Sequence, residues 1–581
     1  MTMLKTLLAT GAVACLLTGT PLAANPDAGA YLAARQAAVR HDFENSALYL
    51  TEALSADPGN AEIMENAMTA FVALGKIDEA VHLARALARS GQVSQPAFIL
   101  LNVAAMQNRN YDDVFLGLER GYSVAPLVDG LAQGWAHIGR GDRARGLAHF
   151  DQMMETDGLE VYGRTHKAYA FAAVGNYDAA QALFSHPELP AMRYSRSSAI
   201  AHAQILSQLG RNAEALRLIE TIFAGRFDAN LNALRDALRQ GETVAYSVVA
   251  TPSEAMADIY HIIAAAVRGQ ATDDYTLIYA RAASTLNPGH VTAVMMTAEL
   301  LEDLGQWRLA EQVYDSVPED NPAYATAELA RSEALREAGR PDEALAVLDA
   351  LVDSRPMVAD VYTSFGDSLR RQERYAEAIA AYTQSLDVHD EDDGPLWFVH
   401  YARGIARHLS QDWTGAEADF RAALKLSPDQ PQVLNYLGYA LVERGEKLDE
   451  ALVMIERAVA GLPDSGAVVD SLGWALFRLG EFERAVTQLE RAAALSPYDA
   501  VINDHLGDAL WAVGRRTEAR FQWRRALSLG AEPELVAAVE AKLQNGLKLL
   551  PPEQLEASLT LPPHVVEAMT KTDGEGTRDA N

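Results

Sequence analysis

The sequence predicts an all-α fold, an α-solenoid superhelix of about 13 stacked helix hairpins that ends in a capping helix. Three kinds of residue recur across the C-terminal half with a common period of about 34 residues. Periods of this length are typical of repeat proteins in which each unit packs mainly on its neighbours. One recurring residue would be a weak signal, whereas three with the same period indicate a repeat.

The first recurring residue is a glycine in the predicted first helix of each unit. Gly473 lies 35 residues after Gly438 and 34 residues before Gly507, since the numbers differ by those amounts. The series extends backwards to Gly404 and Gly366. Because glycine carries no side chain, it lets the second helix of the unit approach the first closely.

The second recurring residue is a small one in the second helix, and the third is a proline at the end of the unit. The small residues are Ala378, Ala416, Ala451, Ala485 and Ala519, and the prolines are Pro428, Pro463 and Pro497. A large residue follows each alanine by four positions, as Leu489 follows Ala485. Residues four apart share one helix face, so these side chains are predicted to fill the seam between the two helices.

The N-terminal half follows the pattern less regularly. Its mid-unit residues are Ser46, Ala80, Val114, Ala144, Ala180 and Ala215, and predicted turns lie at Gly75-Lys76, Gly139-Arg140, Gly175-Asn176 and Gly210-Arg211. Helices are predicted at 231–238 and 254–267, but their register is poor. We therefore expect an N-terminal array over 25–223, a degenerate helical joint over 224–290 and a C-terminal array over 291–530. Either one continuous superhelix or two arrays with a distorted joint fits this pattern.

A final helix is predicted after the last unit. Leu535, Val536, Val539 and Leu543 share one helical face, which suits a capping helix within 531–549. The segment 550–581 ends in polar residues and glycine, and is predicted to be a mostly disordered tail.

The composition argues against several functional classes. The 49 Lys and Arg residues against 79 Asp and Glu residues give a net charge of −30, which disfavours binding to nucleic acid. The single cysteine excludes an intramolecular disulfide and multi-cysteine zinc sites. No phosphate loop, nucleophile elbow or zinc-protease motif occurs. The sequence therefore predicts no enzymatic activity, no cofactor and no metal site.

The N-terminus has the pattern of an export signal. Lys5 precedes an uncharged stretch over 6–17, which is shorter than the roughly 20 residues of a spanning helix. A signal peptide over 1–24 predicts a soluble periplasmic protein. A second interpretation uses Ala12-Val13-Ala14-Cys15 as a loose lipoprotein box, in which Cys15 receives the lipid and anchors the protein to the outer membrane. A cytosolic protein with an apolar start is the third.

The repeat unit resembles the tetratricopeptide repeat. The residues that carry the resemblance are Leu472-Gly473, Leu476, Ala485, Leu489 and Pro497. The resemblance implies that the first helices line a concave groove that binds other proteins. The side chains it assigns to that groove are Tyr401, Asn435, Tyr439, Asp470, Trp474, Phe477, Asp504, Asp508 and Trp511. An acidic groove would suit a partner segment with Lys or Arg. Alternatively, Tyr439 and Trp474 pack between units.

The stretch from about 360 to 529 also resembles a narrower group of proteins. The strings GDSLRRQERYAEA, LNYLGYALVERGEKLDEAL, DSLGWALFRLGEFERAV and HLGDALWAVGRRTEAR are similar to those of proteobacterial envelope lipoproteins with tetratricopeptide repeats. These proteins act as adaptors for carboxyl-terminal processing proteases. The resemblance implies a non-enzymatic scaffold that binds such a protease and brings it cell-wall hydrolases. A scaffold for envelope assembly or polysaccharide export is the alternative.

Overall fold

The computed structural model of the protein describes residues 26–92, 94–185, 195–389 and 396–548. Over these ranges the chain forms 30 α-helices and no β-strand, which confirms the predicted all-α class. None of those helices has both the length and the apolar character needed to cross a bilayer. The predicted signal peptide with Cys15 and the predicted tail over 550–581 lie outside the described residues.

The chain divides into two compact units, Met1–Glu343 and Ala344–Asn581. This division falls within one helix, Pro341–Ser354, and not in the segment 224–290 where the sequence suggested a joint.

The helices of the first unit are α1 (Pro26–Val39), α2 (Phe43–Ala56), α3 (Ala61–Ala73), α4 (Ile77–Arg89), α5 (Gln95–Gln107), α6 (Tyr111–Glu119), α7 (Pro126–Gly139), α8 (Arg143–Met154), α9 (Glu160–Ala172), α10 (Tyr177–Phe184), α11 (Arg196–Gln208), α12 (Asn212–Phe223), α13 (Ala229–Arg239), α14 (Pro252–Val267), α15 (Asp273–Leu286), α16 (Val291–Asp303), α17 (Trp307–Tyr314) and α18 (Tyr324–Glu337). Both helices predicted in the poorly registered segment are present, as α13 and α14.

The second unit begins within α19 (Pro341–Ser354). Its other helices are α20 (Ala359–Arg371), α21 (Tyr375–Val388), α22 (Trp397–Leu409), α23 (Trp413–Leu426), α24 (Pro431–Glu443), α25 (Leu448–Gly461), α26 (Gly466–Arg478), α27 (Phe482–Leu495), α28 (Ala500–Ala512), α29 (Arg516–Ser528) and α30 (Pro533–Asn545). The pairs α20/α21, α22/α23, α24/α25, α26/α27 and α28/α29 are helix hairpins stacked in chain order, and α30 packs on α29.

The seam inside each of these hairpins matches the sequence pattern. A Cβ atom at Gly366, Gly404, Gly438, Gly473 or Gly507 would lie within 2.8 Å of a side chain on the second helix. The residues it would meet are Tyr382, Phe420, Ile455, Leu489 and Trp523. Each follows a fully buried landmark alanine by four positions. The predicted roles of glycine, alanine and the large residue are therefore confirmed.

Two predictions for the N-terminal half are wrong in position: the mid-unit residue Ala144 and the turn at Gly139-Arg140. Ala144 is exposed, whereas Gly146 is buried, and a Cβ there would lie 2.7 Å from the carbonyl oxygen of Gly134. Gly139 is the last residue of α7, and it is Gly141, with φ +86°, that adopts the left-handed conformation of the turn. The repeat prefers a small residue at each seam, and both Ala144 and Gly146 satisfy that preference, so the period alone does not choose between them.

The first unit also contains packing that the repeat pattern does not predict. Helices α14 and α15 contact α3, α5 and α7, which are distant in sequence. Tyr275 Oη donates to Gln95 Oε1 at 2.6 Å, and the Arg281 guanidinium donates to the carbonyl oxygen of Ala73 at 3.0 Å. The expectation that each hairpin touches only its neighbours is therefore wrong for this unit.

Candidate protein-binding surface of the C-terminal unit

The predicted groove residues lie on the first helices of successive hairpins, α22, α24, α26 and α28. Six of them are buried: Tyr401, Asn435, Tyr439, Asp470, Asp504 and Asp508 are at most 6% exposed. Trp474, Phe477 and Trp511 are half-buried. Helix α24 contacts α26, and α26 contacts α28, so inner positions of one helix are covered by the next. Six of the nine side chains that the resemblance assigns to the groove are therefore not accessible to a partner, and the burial of Tyr439 agrees with the alternative that it packs between units.

Tyr401 belongs to an aromatic cluster between neighbouring hairpins. Its ring centroid lies 6.0 Å from that of Tyr436, in an edge-to-face arrangement, and 6.1 Å from that of Phe420. Such pairs are favourable beyond the area they bury. Asn435 lies on the same helix as Tyr436, and within the described ranges its buried Oδ1 has no hydrogen-bond partner.

A buried ion pair joins α24 to α26. Glu443 Oε1 accepts a hydrogen bond from Trp474 Nε1 at 2.5 Å and another from the guanidinium of Arg478 at 3.2 Å. Glu443 and Arg478 are each 8% exposed. Glu443 therefore fixes the orientation of the Trp474 indole, whose outer part stays accessible to solvent.

A stack of rings joins α26 to α28. The His505 imidazole lies on one face of Trp474, with centroids 4.1 Å apart and planes inclined by 14°, and Phe477 also stacks on this indole at 5.0 Å. Asp470 accepts from His505 Nδ1 at 3.0 Å. Burial opposes the charge on His505, but the carboxylates of Asp470, Asp504 and Asp508 outweigh it and raise the pKa of the imidazole.

The last hairpin is closed by a lysine from the capping helix. Lys542 Nζ lies 2.8 Å from Asp504 Oδ2 and 2.7 Å from Asp508 Oδ2. Asp508 also accepts from Trp523 Nε1 at 2.8 Å through its other oxygen. Burial, followed by the charge of Asp504, raises the pKa of Asp508 to about 6. The capping helix thus places one cation on two inner-face carboxylates.

Trp511 marks the end of this surface. Arg516 and Arg520 lie over its ring, with guanidinium carbons 5.1 and 5.7 Å from the ring centroid. The Trp523 ring packs beside it at 5.2 Å. Cations over an indole face are attracted by its quadrupole, so Trp511 already has local partners.

Four side chains of this network are absent from the sequence-based prediction: Glu443, Arg478, His505 and Lys542. Glu443 and Arg478 are separated by 35 residues, one repeat length, so they occupy equivalent positions of adjacent units. The repeat alignment could therefore have predicted an ion pair between adjacent units from these opposite charges. Lys542 lies outside the repeat, and no periodic signal points to it.

The inner-face residues of the second unit form a surface suited to contact with another protein. Within the described ranges there is no group of three or more His, Cys, Asp or Glu side chains placed to hold a metal ion. The carboxylates nearest the half-buried rings are engaged by His505, Arg478 or Lys542. What remains accessible is an aromatic surface formed by Trp474 and Phe477, held in position by a buried polar network.

Sequence comparison assigns repeats to a large part of the chain. The family described as Tetratricopeptide repeat matches residues 295–358, 329–395, 363–431, 401–466 and 437–500, and a second family of the same description matches 197–221. A TPR repeat-containing protein of Pseudomonas aeruginosa is 32% identical over 105 residues, which are 18% of this chain. The match spans only 17% of the length of that relative.

Solved structures of repeat proteins are also similar. The APC/C hetero-tetramer Cut9-Hcn1 matches 90% of this chain and 97% of its own at 13% identity, with a TM-score of 0.39. A tetratricopeptide repeat protein from Parabacteroides merdae matches 44% of this chain and 98% of its own at 18% identity, with a TM-score of 0.36. The family matches show that residues 295–500 of this chain are similar to tetratricopeptide repeats.

Proposed function

We propose that this protein is a non-enzymatic adaptor of the bacterial cell envelope that presents substrates to a carboxyl-terminal processing protease. Support comes from the export-like pattern before residue 25, from the repeats over 295–500, and from the strings between 360 and 529 that resemble those of such adaptors. The protease and the cell-wall hydrolases it would receive are proposed partners.

The observation that carries the proposed binding role is the aromatic surface of Trp474 and Phe477. Aromatic side chains that are partly exposed and rigidly held are frequent anchors in protein interfaces. Glu443 and His505 hold the Trp474 indole from two sides, so little side-chain entropy is lost when a partner covers it. The net charge of −30 favours a partner segment that carries Lys or Arg.

The test is a pull-down from native envelope extract with the full chain as bait, followed by mass spectrometry. We expect recovery of a serine protease of the carboxyl-terminal processing class. The Trp474→Ala variant should bind that protease about 1–3 kcal/mol more weakly while its helical circular dichroism is unchanged. Trp413→Ala is the matched control, because Trp413 is also a half-buried tryptophan of this unit but lies on a second helix, α23.

Three outcomes would contradict parts of the proposal. Recovery of polysaccharide-export or outer-membrane assembly components instead of a protease would favour the alternative scaffold. Equal affinity of wild type and Trp474→Ala would remove the aromatic surface as the binding site. Localisation is tested separately by cell fractionation and by lipid labelling of Cys15→Ala, and a cytosolic protein would end the envelope assignment.

A further inference from the structure

A half-enclosed cavity of about 420 Å³ lies in the first unit between α9, the start of α11, and α14. Its walls include Val161, Tyr162 and Ile262, which are half-buried and present aliphatic and aromatic surface. Deeper in the cavity are Asp258, His166 and Tyr169, all at most 2% exposed. A volume of this size accommodates a small organic group.

Among the described residues, the carboxylate of Asp258 has no Lys or Arg in hydrogen-bonding contact. Within the described ranges no group forms a hydrogen bond of ordinary geometry with either oxygen, and no Lys or Arg nitrogen lies within 4.0 Å of them. His290 Nε2 lies 3.8 Å from Oδ1. Burial acts to raise the pKa of this carboxyl, but His290 and Ser197 outweigh burial and lower the pKa. A fully buried carboxylate without a Lys or Arg in contact is uncommon in a folded protein. Such groups are concentrated at functional sites.

Two of the histidines beside the cavity, His166 and His261, are held neutral by burial. His166 Nδ1 accepts from Trp135 Nε1 at 3.0 Å, and His290 Nδ1 accepts from the backbone N–H of Ala293 at 3.2 Å. A ring nitrogen that accepts carries no proton, so the His166 imidazole is neutral in this arrangement. Burial also lowers the pKa of His166 and of His261 to about 4. Among the described residues, the basic groups that act on Asp258 are therefore histidines and not Lys or Arg.

Three oxygen atoms of the cavity form no hydrogen bond of ordinary geometry with the described residues, although the Tyr169 hydroxyl lies near Ser195 and Asp258. They are both carboxylate oxygens of Asp258 and the hydroxyl of Tyr169. A primary ammonium group has three N–H donors and no acceptor, so its donors equal these acceptors in number. The ring of Tyr162 on the cavity wall adds a surface that attracts cations. A guanidinium has five donors in a plane and would leave two of them without these acceptors.

We propose that this cavity binds a primary ammonium group on an aliphatic stem, with Asp258 as its counter-ion. The stem lies against Val161 and Ile262, and the ammonium donates to Asp258 and Tyr169. The group can come from a lysine side chain of a partner protein or from a free alkylamine, which share this chemistry. The site lies in the first unit, and the inference does not depend on the adaptor role proposed for the second.

The test measures binding of n-butylamine and of N-acetyl-lysine methylamide to the full chain by isothermal titration calorimetry in 150 mM KCl. We expect saturable binding of at least one of them. Tetramethylammonium, which has no N–H donor, and the ε-acetylated lysine derivative, which has no charge and only one N–H donor in its side chain, should not bind. If the affinity for N-acetyl-lysine methylamide is at least tenfold higher than that for n-butylamine, the natural ligand is a lysine of a protein segment. The reverse order of affinities identifies a free amine. Absence of binding by both at 10 mM, about the weakest affinity of interest, overturns the proposal.

Two variants distinguish amine binding by the buried carboxylate of Asp258 from non-specific attraction by the negative charge of the protein. Asp258→Asn should weaken amine binding at least tenfold, because it removes the counter-ion of the ammonium. Asp157→Asn, an exposed carboxylate next to cavity residue Gly158, should leave binding within twofold. Equal loss in both variants, or unchanged binding in Asp258→Asn, contradicts the site.

A second variant keeps the test decisive if Asp258→Asn does not fold. Val161→Phe places a ring in the cavity from its half-buried wall and leaves Asp258 in place. It should abolish amine binding while the helical circular dichroism matches wild type. Retained binding in Val161→Phe would show that amines bind elsewhere and would overturn the assignment.

Discussion

The indole ring of Trp523 fills the space that any side chain on Gly507 would need, because a Cβ at Gly507 would lie 2.4 Å from Trp523 Cδ1. The two residues come from the two helices of one hairpin, α28 and α29. The same contact recurs at Gly473 with Leu489. Removal of one side chain therefore lets a large one on the facing helix pack fully, as the complete burial of Trp523 shows.

This contact leads to the first prediction. Gly507→Ala should reduce the free energy of unfolding by about 1–3 kcal/mol, because the added methyl group overpacks the seam. The measurement is urea unfolding followed by circular dichroism. Gly59→Ala is the control, since a Cβ there meets nothing within 4 Å and the effect should stay within about 0.5 kcal/mol. Equal effects of the two substitutions would contradict the packing role.

The second prediction concerns the buried pair of Glu443 and Arg478. Glu443→Gln should destabilise the protein by about 2–4 kcal/mol, because it leaves the Arg478 guanidinium buried without an anion. The double variant Glu443→Gln with Arg478→Met should recover at least half of that loss, since no unpaired charge remains. Thermal and urea unfolding of the single and double variants measure both values. A double variant no more stable than Glu443→Gln alone would show that the pair is not the cause.

The third prediction concerns pH. The pKa of Asp508 is raised to about 6 when folded, so its contribution to stability is present below about pH 4 and is lost as pH rises through about 6. His505, whose pKa is also raised, contributes fully below about pH 6.5 and loses that contribution above it. Unfolding free energy should therefore fall by about 1–3 kcal/mol between pH 5 and 8.

Urea unfolding at a series of pH values tests this dependence. Asp508→Asn should flatten the fall, because the amide does not titrate. Asp449→Asn, an exposed carboxylate on α25, should leave the slope as in wild type. A wild-type profile that rises from pH 5 to 8, or an unchanged slope in Asp508→Asn, would contradict the assignment.

The fourth prediction concerns a turn inside one hairpin. Gln411 has φ +68°, a left-handed conformation that costs a non-glycine residue about 1–2 kcal/mol. The equivalent position one repeat later is Gly445, with φ +65°. Gln411→Gly should raise the unfolding free energy by about 0.5–1 kcal/mol, while Gln411→Ala should change it by less than about 0.5 kcal/mol. Destabilisation by the glycine would show that the Gln411 side chain contributes more than its backbone costs.

The sequence predicts the contacts inside each hairpin of the C-terminal unit, but it does not predict which side chains of the inner face are buried. The glycine at Gly473 and the leucine at Leu489 lie in adjacent helices, so their period reports a contact within one hairpin. Tyr439 and Asp470 were placed on the correct helices, yet the period does not tell whether the next hairpin covers them. Lys542 is outside the repeat, so its ion pairs with Asp504 and Asp508 had no periodic signal.

The sequence by itself determined the helical hairpins, the residues of their seams and most of their turns, because these features depend on contacts between residues fewer than about 40 positions apart. Only the tertiary structure decided that α14 and α15 pack on α3, α5 and α7, and that Asp258 is buried beside a cavity. Those contacts join segments about 90 to 210 residues apart, as Arg281 and Ala73 are. A repeat pattern describes one unit and its neighbours, and it carries no information about which distant units meet.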